Sequence, residues 1–181
     1  MPNHVTNHLQ IEGEEKKVKF VFDVIQGNQE RQFIDFNKII PAPAFCFNKS
    51  AGSPAEKLAN ELEVPIWTSF NRSNWGTKWN AYSQEKVSPT FIKYETAWSS
   101  SRKVIQAIAD KFPMLKITLK YADEDSGSNV GVIIWHNGDL SENLPKSQSK
   151  DAYDIYFELH PDDKENYQFV DGEYQYIEED C

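Results

Sequence analysis

The stretch MLKITLKYA, residues 114–122, alternates between apolar and polar side chains. A strand sends successive side chains to opposite faces, so this alternation predicts a β-strand. Its apolar face would hold Leu115, Ile117, Leu119 and Tyr121, and its polar face Lys116, Thr118 and Lys120. One apolar and one polar face is typical of an antiparallel sheet that is covered on one side only.

The segments before this strand predict further strands and helices. HVTNHLQIEG (4–13) alternates like a strand, and EEKKVKFVFDVIQGN (14–28) has helical apolar spacing, an acidic start and a Gly-Asn stop. SSSRKVIQAIADKFP (99–113) predicts a second long helix, which serines cap and Pro113 ends. Because two such helices can lie on one face of the sheet, the predicted fold class is α+β.

The remaining segments complete the predicted order. QFIDFNKIIPAPAF (32–45) begins like a strand and ends in a proline-broken loop, and SPAEKLANELE (53–63) predicts a short helical insertion. Three further stretches predict strands: WGTKWNAYS (75–83), TFIKYETAW (90–98) and NVGVIIWHNGD (129–139). The order is therefore β-α-β, a helical insertion, β-β-α-β-β and a tail.

The chain divides into three predicted parts. Residues 1–140 would form the α+β body, and the polar, proline-bearing residues 141–150 would form a linker. Residues 151–181 are acidic and aromatic and would pack on or beside the body. We expect this segment to hold a short helix or strand and then a hairpin around Asp171-Gly172.

Five ordered motifs carry a resemblance to a known family. They are MPNHVTNHLQIEG (1–13), DFNKIIPAP (35–43), NWGTKWNA (74–81), YETAWSSSRKVIQAIADKFP (94–113) and LKYADEDSGSNVGVIIWHNGD (119–139). Together they resemble a family of uncharacterised proteins from plasmids, phages and genomic islands that have a ferredoxin-like domain. The resemblance covers about residues 1–139, which places the acidic segment outside the shared part. The family's opening usually reads Met-Pro-Asn-Trp-Cys, whereas this chain has His4 and Val5.

The resemblance implies a ferredoxin-like antiparallel sheet with helices on one face, and an accessory protein of mobile elements in the bacterial cytoplasm. It implies no activity and no cofactor. "Ferredoxin-like" names a shape, because two cysteines cannot supply the four thiolates of an iron–sulfur cluster. His4 and His8 lie on a predicted strand about 13 Å apart, too far for one metal ion. We therefore expect neither a metal nor a cofactor.

Charge is distributed unevenly along the chain. Residues 1–120 hold 16 Lys and Arg against 12 Asp and Glu, whereas residues 121–181 hold 3 against 16. Such a split predicts an acidic functional surface or a merely solubilising tail. No apolar run approaches the roughly 20 residues of a membrane helix, and two cysteines in 181 residues fit a reducing cytoplasm.

Motifs for catalysis are missing from the sequence. There is no G-x-S-x-G, H-E-x-x-H, Walker A or G-x-G-x-x-G pattern. Cys46 lies between two phenylalanines, where a buried inert thiol is expected rather than a nucleophile. We predict that the protein is not an enzyme, and keep an enzyme of unrecognised type as a third hypothesis.

Trp75 and Trp79 suggest either core or a platform for nucleic-acid bases. Alternation would bury both, because exposing them would turn Lys78 into the core without a partner. An alternative nucleic-acid-binding face would then comprise Lys78, Asn80, Tyr82, Lys93, Tyr94, Lys116 and Lys120. Single-stranded nucleic acid is the ligand that such an aromatic and basic sheet face binds.

The leading hypothesis is a non-catalytic protein that binds and inhibits a host defence or nucleic-acid-binding protein. A folded acidic surface can occupy a nucleic-acid groove, because complementary fields select partners. The partner would be a host nuclease or DNA-binding protein, with nucleic acid as the alternative, and no membrane is involved. The predicted contact residues are Asp151, Asp154, Glu158, Asp162, Asp163, Glu165, Asp171, Glu173, Glu178, Glu179 and Asp180.

Overall fold

The computed structural model describes residues 2–43, 46 and 54–177. The first half holds β1 (His4–Glu12), α1 (Glu15–Ile25), α2 (Phe36–Ile39), α3 (Pro54–Glu61), α4 (Trp67–Asn74), β2 (Tyr82–Ser88) and β3 (Phe91–Ala97). The second half holds α5 (Arg102–Lys111), β4 (Lys116–Asp123), β5 (Gly131–His136), β6 (Asp139–Asn143), α6 (Lys150–Leu159), a 3₁₀ segment (Pro161–Asn166), β7 (Tyr167–Val170) and β8 (Glu173–Tyr176).

Six strands form one antiparallel sheet in the order β2-β3-β1-β4-β5-β6. The central strand β1 places Leu9 opposite Ile92 on β3 and opposite Leu119 on β4. The first four sheet strands together with α1 and α5 give the β-α-β-β-α-β order of a ferredoxin-like domain. The predicted ferredoxin-like α+β fold is therefore confirmed, and β5 and β6 extend its sheet.

Helices α1, α2 and α5 cover one face of the sheet and enclose the first core. The apolar stripe of α1 is buried there, and so are Val104, Ile105 and Ile108 of α5. The carboxylate of Asp35 caps α2 by accepting a hydrogen bond from the backbone N–H of Asn37, 2.9 Å away. The two long helices predicted from the sequence are confirmed.

The opposite face of the sheet is covered in part by α6, and the hairpin of β7 and β8 packs against α6. Ser149 caps α6, and Tyr153, Tyr156 and Phe157 pack with Ala122 of the sheet in a second core. The expectation that the sheet is covered on one side only is therefore wrong. The hairpin around Asp171-Gly172 is confirmed: both residues have positive φ, 52° and 91°, as a two-residue hairpin turn requires.

Four predictions of local structure are wrong. The strand predicted at the start of 32–45 is absent, because residues 32–35 lie outside any strand and Asp35 caps helix α2 at 36–39. Residues 75–81 lie outside any strand, because helix α4 ends at Asn74 and β2 begins only at Tyr82. Residues 84–88, predicted as part of a connection, belong to β2. Residues 141–143, predicted to begin a linker, complete the exposed edge strand β6, because they pair with β5.

Candidate functional site

The acidic residues predicted to contact a partner lie mainly in one structural unit. We call residues 150–176, from α6 to β8, the C-terminal layer. Eight of the eleven predicted acidic residues belong to it, against two lysines, Lys150 and Lys164. The other three, Glu178, Glu179 and Asp180, lie outside the described residues. The sheet and the second core bring together carboxylates that are up to 22 positions apart in the chain.

Three of these carboxylates hold the layer in place. Asp154 accepts hydrogen bonds from Lys150 and, at 3.0 Å, from the Tyr174 hydroxyl. The bond from Lys150 lowers the pKa of Asp154. Glu158 forms an ion pair with Lys120 of the sheet. These contacts give both carboxylates a structural role.

Asp163 is the third structural carboxylate, and it accepts a hydrogen bond from the hydroxyl of Tyr156. Burial of the Tyr156 ring, followed by this bond to a carboxylate, raises the pKa of Tyr156 to about 12. The phenol therefore stays protonated and donates at neutral pH. It connects the second core with the surface of the layer.

The other five carboxylates of the layer are exposed. None of them forms an ion pair with the described part of the chain. They extend from the first turn of α6 to the tip of the hairpin, and we call them the free carboxylates: Asp151, Asp162, Glu165, Asp171 and Glu173. Their charge is available to a partner.

Aromatic rings accompany the free carboxylates on the hairpin. Phe169 is 49% exposed and contacts Tyr174 with ring centroids 5.0 Å apart. Tyr176 is 62% exposed and contacts Tyr167 at 5.4 Å. The hairpin thus offers apolar rings beside carboxylates, a combination suited to a protein surface that is basic and partly apolar.

The residues predicted for the alternative nucleic-acid face do not form one surface. Tyr94 belongs to the first core, where its hydroxyl hydrogen-bonds Ser101 at 2.5 Å, so its prediction as an exposed residue is wrong. Alternation along β3 explains this, because Tyr94 and Lys93 must lie on opposite faces. Asn80 bonds the backbone N–H of Phe36 at 2.9 Å and thus has a structural contact.

The three sheet lysines of that face have different environments. Lys116 pairs with Glu12 at 2.8 Å, and Lys120 pairs with Glu158 of the C-terminal layer. Lys93 lies opposite His8 of β1 on the part of the sheet that α6 leaves uncovered. Two of the three sheet lysines are therefore neutralised within the chain.

A groove of about 370 Å³ lies on this uncovered part of the sheet, between His8, Gln10, Phe91 and Thr118. The rings of His8 and Phe91 meet edge to face with centroids 5.3 Å apart. Burial, followed by the positive charge of Lys93, lowers the pKa of His8 to about 4. The imidazole is therefore neutral at pH 7 and adds no charge to the groove.

The two tryptophans predicted as core have different environments. Trp75 is buried, and its indole N–H donates to the carbonyl of Ile40 at 2.9 Å, so the prediction of a core residue is confirmed. Trp79 is only half-buried and contacts the ring of Tyr82 at 6.1 Å. Its position follows from the irregular backbone of 75–81, which does not alternate as a strand would.

Trp98 is a surface residue that the sequence reasoning missed. It is 43% exposed, and its φ of 71° is unusual for a bulky side chain. The guanidinium of Arg72 lies 4.8 Å from its ring centroid and the ammonium of Lys78 lies 4.6 Å away. Trp98 directly follows the last residue of β3, where strand alternation ends, and this position is the sequence feature that could have indicated its exposure.

Metal ligation, membrane spanning and the thiol of Cys46 are separate questions over the described ranges. Among residues 2–43, 46 and 54–177, no three His, Cys, Asp or Glu side chains come together as metal ligands. Over the same residues, no helix combines the length and the apolar character needed to cross a bilayer. Cys46 is half-buried rather than buried, and desolvation raises the pKa of its thiol.

Comparison with known proteins places the chain beside the Api92-like proteins. Residues 75–169 match the family model described as a ferredoxin-like domain in Api92-like protein. This match includes α6 and the first three residues of β7, so the expectation that the acidic segment lies outside the shared part is wrong for residues 151–169. The crystal structure of protein api92 from Yersinia pseudotuberculosis is similar at 9% identity and a TM-score of 0.46, covering 81% of this chain and 99% of that one. A search of curated proteins finds no match.

Proposed function

We propose that this chain, which belongs to the Api92-like family with a ferredoxin-like domain, is a non-catalytic binding protein. In this proposal it binds a host protein with a basic surface through its C-terminal layer and inhibits it by acidic mimicry of nucleic acid. The partner class is a nuclease or another nucleic-acid-binding protein. The setting we propose is the cytoplasm of a bacterium that carries a plasmid or phage.

One observation carries this proposal: the five free carboxylates are exposed on a layer that has its own core. Tyr153, Phe157 and Tyr167 pack against one another with ring centroids 5.4–5.7 Å apart. The layer therefore presents its charges from an ordered scaffold, which reduces the entropy lost on binding. A disordered solubilising tail would need no such packing.

Charge and apolar contact would act together in this interface. Free carboxylates steer a basic partner toward the layer and disfavour acidic proteins. Phe169 and Tyr176 would provide the desolvated contacts, since aromatic residues commonly dominate binding energy. A nucleic-acid groove fits both features, because it is lined by Lys and Arg and contains apolar stacking surfaces.

The test compares two variants with equal charge change. In the first, the free carboxylates are neutralised together: Asp151→Asn, Asp162→Asn, Glu165→Gln, Asp171→Asn and Glu173→Gln. In the control, five exposed glutamates elsewhere in the chain are changed to Gln: Glu15, Glu30, Glu61, Glu63 and Glu85. Each protein and the wild type are immobilised and exposed to bacterial lysate.

We expect the wild type and the control to capture nucleic-acid-binding proteins that added duplex DNA displaces. The first variant should lose these proteins, because its layer no longer resembles a phosphate backbone. Equal capture by all three proteins, or capture that DNA does not displace, would contradict the proposal.

The second candidate function is a single-stranded nucleic-acid-binding module on the uncovered sheet face. The observation that favours it is the groove, which the ring of Phe91 lines; Lys93 lies two residues further along β3 on the same face of the sheet. Phe91→Ala should then weaken binding of a labelled oligothymidylate at low salt by about 5-fold or more. Unchanged binding by this variant would remove the sheet face as the site.

A further inference from the structure

We propose a second binding site, for single-stranded nucleic acid, at the end of the sheet around Trp98. It is separate from the C-terminal layer and does not depend on the protein-binding proposal. A row of rings and cations forms it: Arg72, Trp98, Lys78, Trp79, Tyr82 and His4. Residues from α4, the 75–81 segment, β2, the end of β3 and β1 meet here.

Each member of the row contacts the next. The Lys78 ammonium lies between two indoles, 4.6 Å from the centroid of Trp98 and 4.9 Å from that of Trp79. Trp79 contacts Tyr82 with centroids 6.1 Å apart. Tyr82 meets His4, whose Nδ1 lies 2.7 Å from the tyrosine hydroxyl. The row therefore presents several aromatic rings in succession. A chain of stacked bases could contact all of them, whereas a small anion could contact only one or two.

The two cations of the row are available to a ligand. Arg72 is exposed and Lys78 is half-buried, and neither pairs with a carboxylate in the described residues. Lys116 and Lys120, by contrast, both pair with glutamates. Unpaired cations next to aromatic rings match what a nucleic-acid strand presents, which is alternating phosphates and base faces.

Hydrogen bonds from other segments hold the backbone of Trp98 in its unusual conformation. Its N–H donates to the carbonyl of Asn3 at 2.9 Å, and its carbonyl accepts from the side-chain amide of Asn129 at 3.3 Å. The backbone N–H of Lys78 donates to the carbonyl of Ala97 at 3.4 Å. An exposed indole held in the left-handed region by contacts from two other segments is preorganised for a ligand.

The experiment measures binding of a fluorescent oligothymidylate of about 15 nucleotides, long enough for one small site. Anisotropy of the full chain is followed from about 50 to about 200 mM salt. Trp98→Asn removes the ring and keeps a residue that tolerates positive φ. Its control, Phe20→Ala, removes an exposed ring on α1, outside the proposed sites.

A second variant tests the cations without changing any ring. Arg72→Gln with Lys78→Gln removes both cations of the row, and Lys16→Gln with Lys57→Gln removes two exposed lysines elsewhere as its control. We expect the first pair to lower the salt slope by about 1.4, since each phosphate contact on a single strand contributes about 0.7. The control pair should leave the slope nearly unchanged.

The expected result for Trp98→Asn is binding weakened by about 5- to 150-fold, the loss of one stacked base. Loss with Trp98→Asn and not with Phe20→Ala supports the site. Absence of oligothymidylate binding by the wild type would overturn both this site and the sheet-face candidate. Binding that Phe91→Ala abolishes and Trp98→Asn preserves would overturn only this site.

Discussion

The two cores of this protein lie on opposite faces of one sheet and are built from different residues. The first core is largely aliphatic, with Leu9, Ile11, Ile105 and Ile117 fully buried. The second core is smaller and richer in tyrosine, and its tyrosines direct their hydroxyls to polar groups at its edge. Two of these hydroxyls donate to carboxylates, so the second core also positions acidic side chains through hydrogen bonds.

This difference indicates how an acidic surface can be both ordered and available. Asp154 and Asp163 accept hydrogen bonds from Tyr174 and Tyr156, so these carboxylates stabilise the layer. The free carboxylates take no part in such contacts and can meet a partner. The first core stabilises the ferredoxin-like fold, and the second core orders the elements that carry the free carboxylates.

The largest effect is expected from the first core. Phe36→Ala removes a fully buried ring that contacts Trp75 and Tyr94 with centroids 5.8 and 6.2 Å away. We expect the free energy of unfolding to fall by about 3–5 kcal/mol, because a cavity remains where the ring was. Urea denaturation measures this value. A loss below about 1 kcal/mol would show that the core closes around the missing ring.

A matched substitution in the second core tests whether the two cores unfold independently. Phe157→Ala removes a buried ring that contacts Tyr153, Tyr167 and Tyr174. We expect it to lower the free energy of unfolding by about 3 kcal/mol. We expect amide hydrogen exchange to lose protection in α6 and β8 while β1 keeps its own. Equal loss of protection in β1 would mean that the two cores unfold as one unit.

Acid should act at the groove on the sheet, where His8 lies near Lys93, Lys120, His160 and Glu158. Burial holds the folded-state pKa at about 4, below the ordinary value of 6.5. The resulting stability is present above pH 6.5 and is lost as pH falls to 4. We expect the free energy of unfolding to fall by about 1–2 kcal/mol over this range. This is less than the full pKa difference corresponds to, because the ring is partly exposed to solvent.

His8→Gln removes the titrating group and should flatten the dependence between pH 6.5 and 4. Denaturation midpoints across this range, for wild type and variant, provide the measurement. If both proteins show the same slope, the acid sensitivity belongs to other groups.

The smallest expected effect tests the link between ring and carboxylate. Tyr156→Phe keeps the buried ring and removes the hydrogen bond to Asp163, which should cost about 1 kcal/mol at pH 7. The pKa of Tyr156 is raised from 10 to about 12, so its stabilisation is complete below pH 10 and is lost as pH rises to 12. The variant should therefore lose less stability than wild type over this alkaline range. If the free energies of unfolding of wild type and variant fall equally over this range, Tyr156 does not cause the alkaline loss of stability.

Where the sequence prediction succeeded, a local pattern was sufficient. Alternation in 4–13 and 114–122 predicted β1 and β4, and apolar spacing with clear end signals predicted α1 and α5. The Asp171-Gly172 pair predicted the hairpin turn because only a few residues accept positive φ. In these segments, local preference and tertiary packing agree.

Where it failed, tertiary contacts overrode the local pattern. The stretch 75–81 alternates like a strand, yet Trp75 hydrogen-bonds Ile40 and Asn80 bonds Phe36, which keeps this backbone out of the sheet. Strand β6 has no apolar alternation at all, and pairing with β5 alone forms it. Trp98 contacts cations from segments 20 and 26 residues earlier, and no local signal reveals such contacts.

Local patterns in the sequence were sufficient to predict β1, α1, α5 and β4 and the concentration of negative charge after residue 120. Both depend on periodicity and composition, which are local properties of a chain. The position of α6 on the second face of the sheet, and the set of carboxylates it leaves free, follow from tertiary packing. It also decided that Arg72, Lys78 and Trp98 meet at one end of the sheet. These outcomes depend on packing between distant segments, which sequence periodicity does not encode.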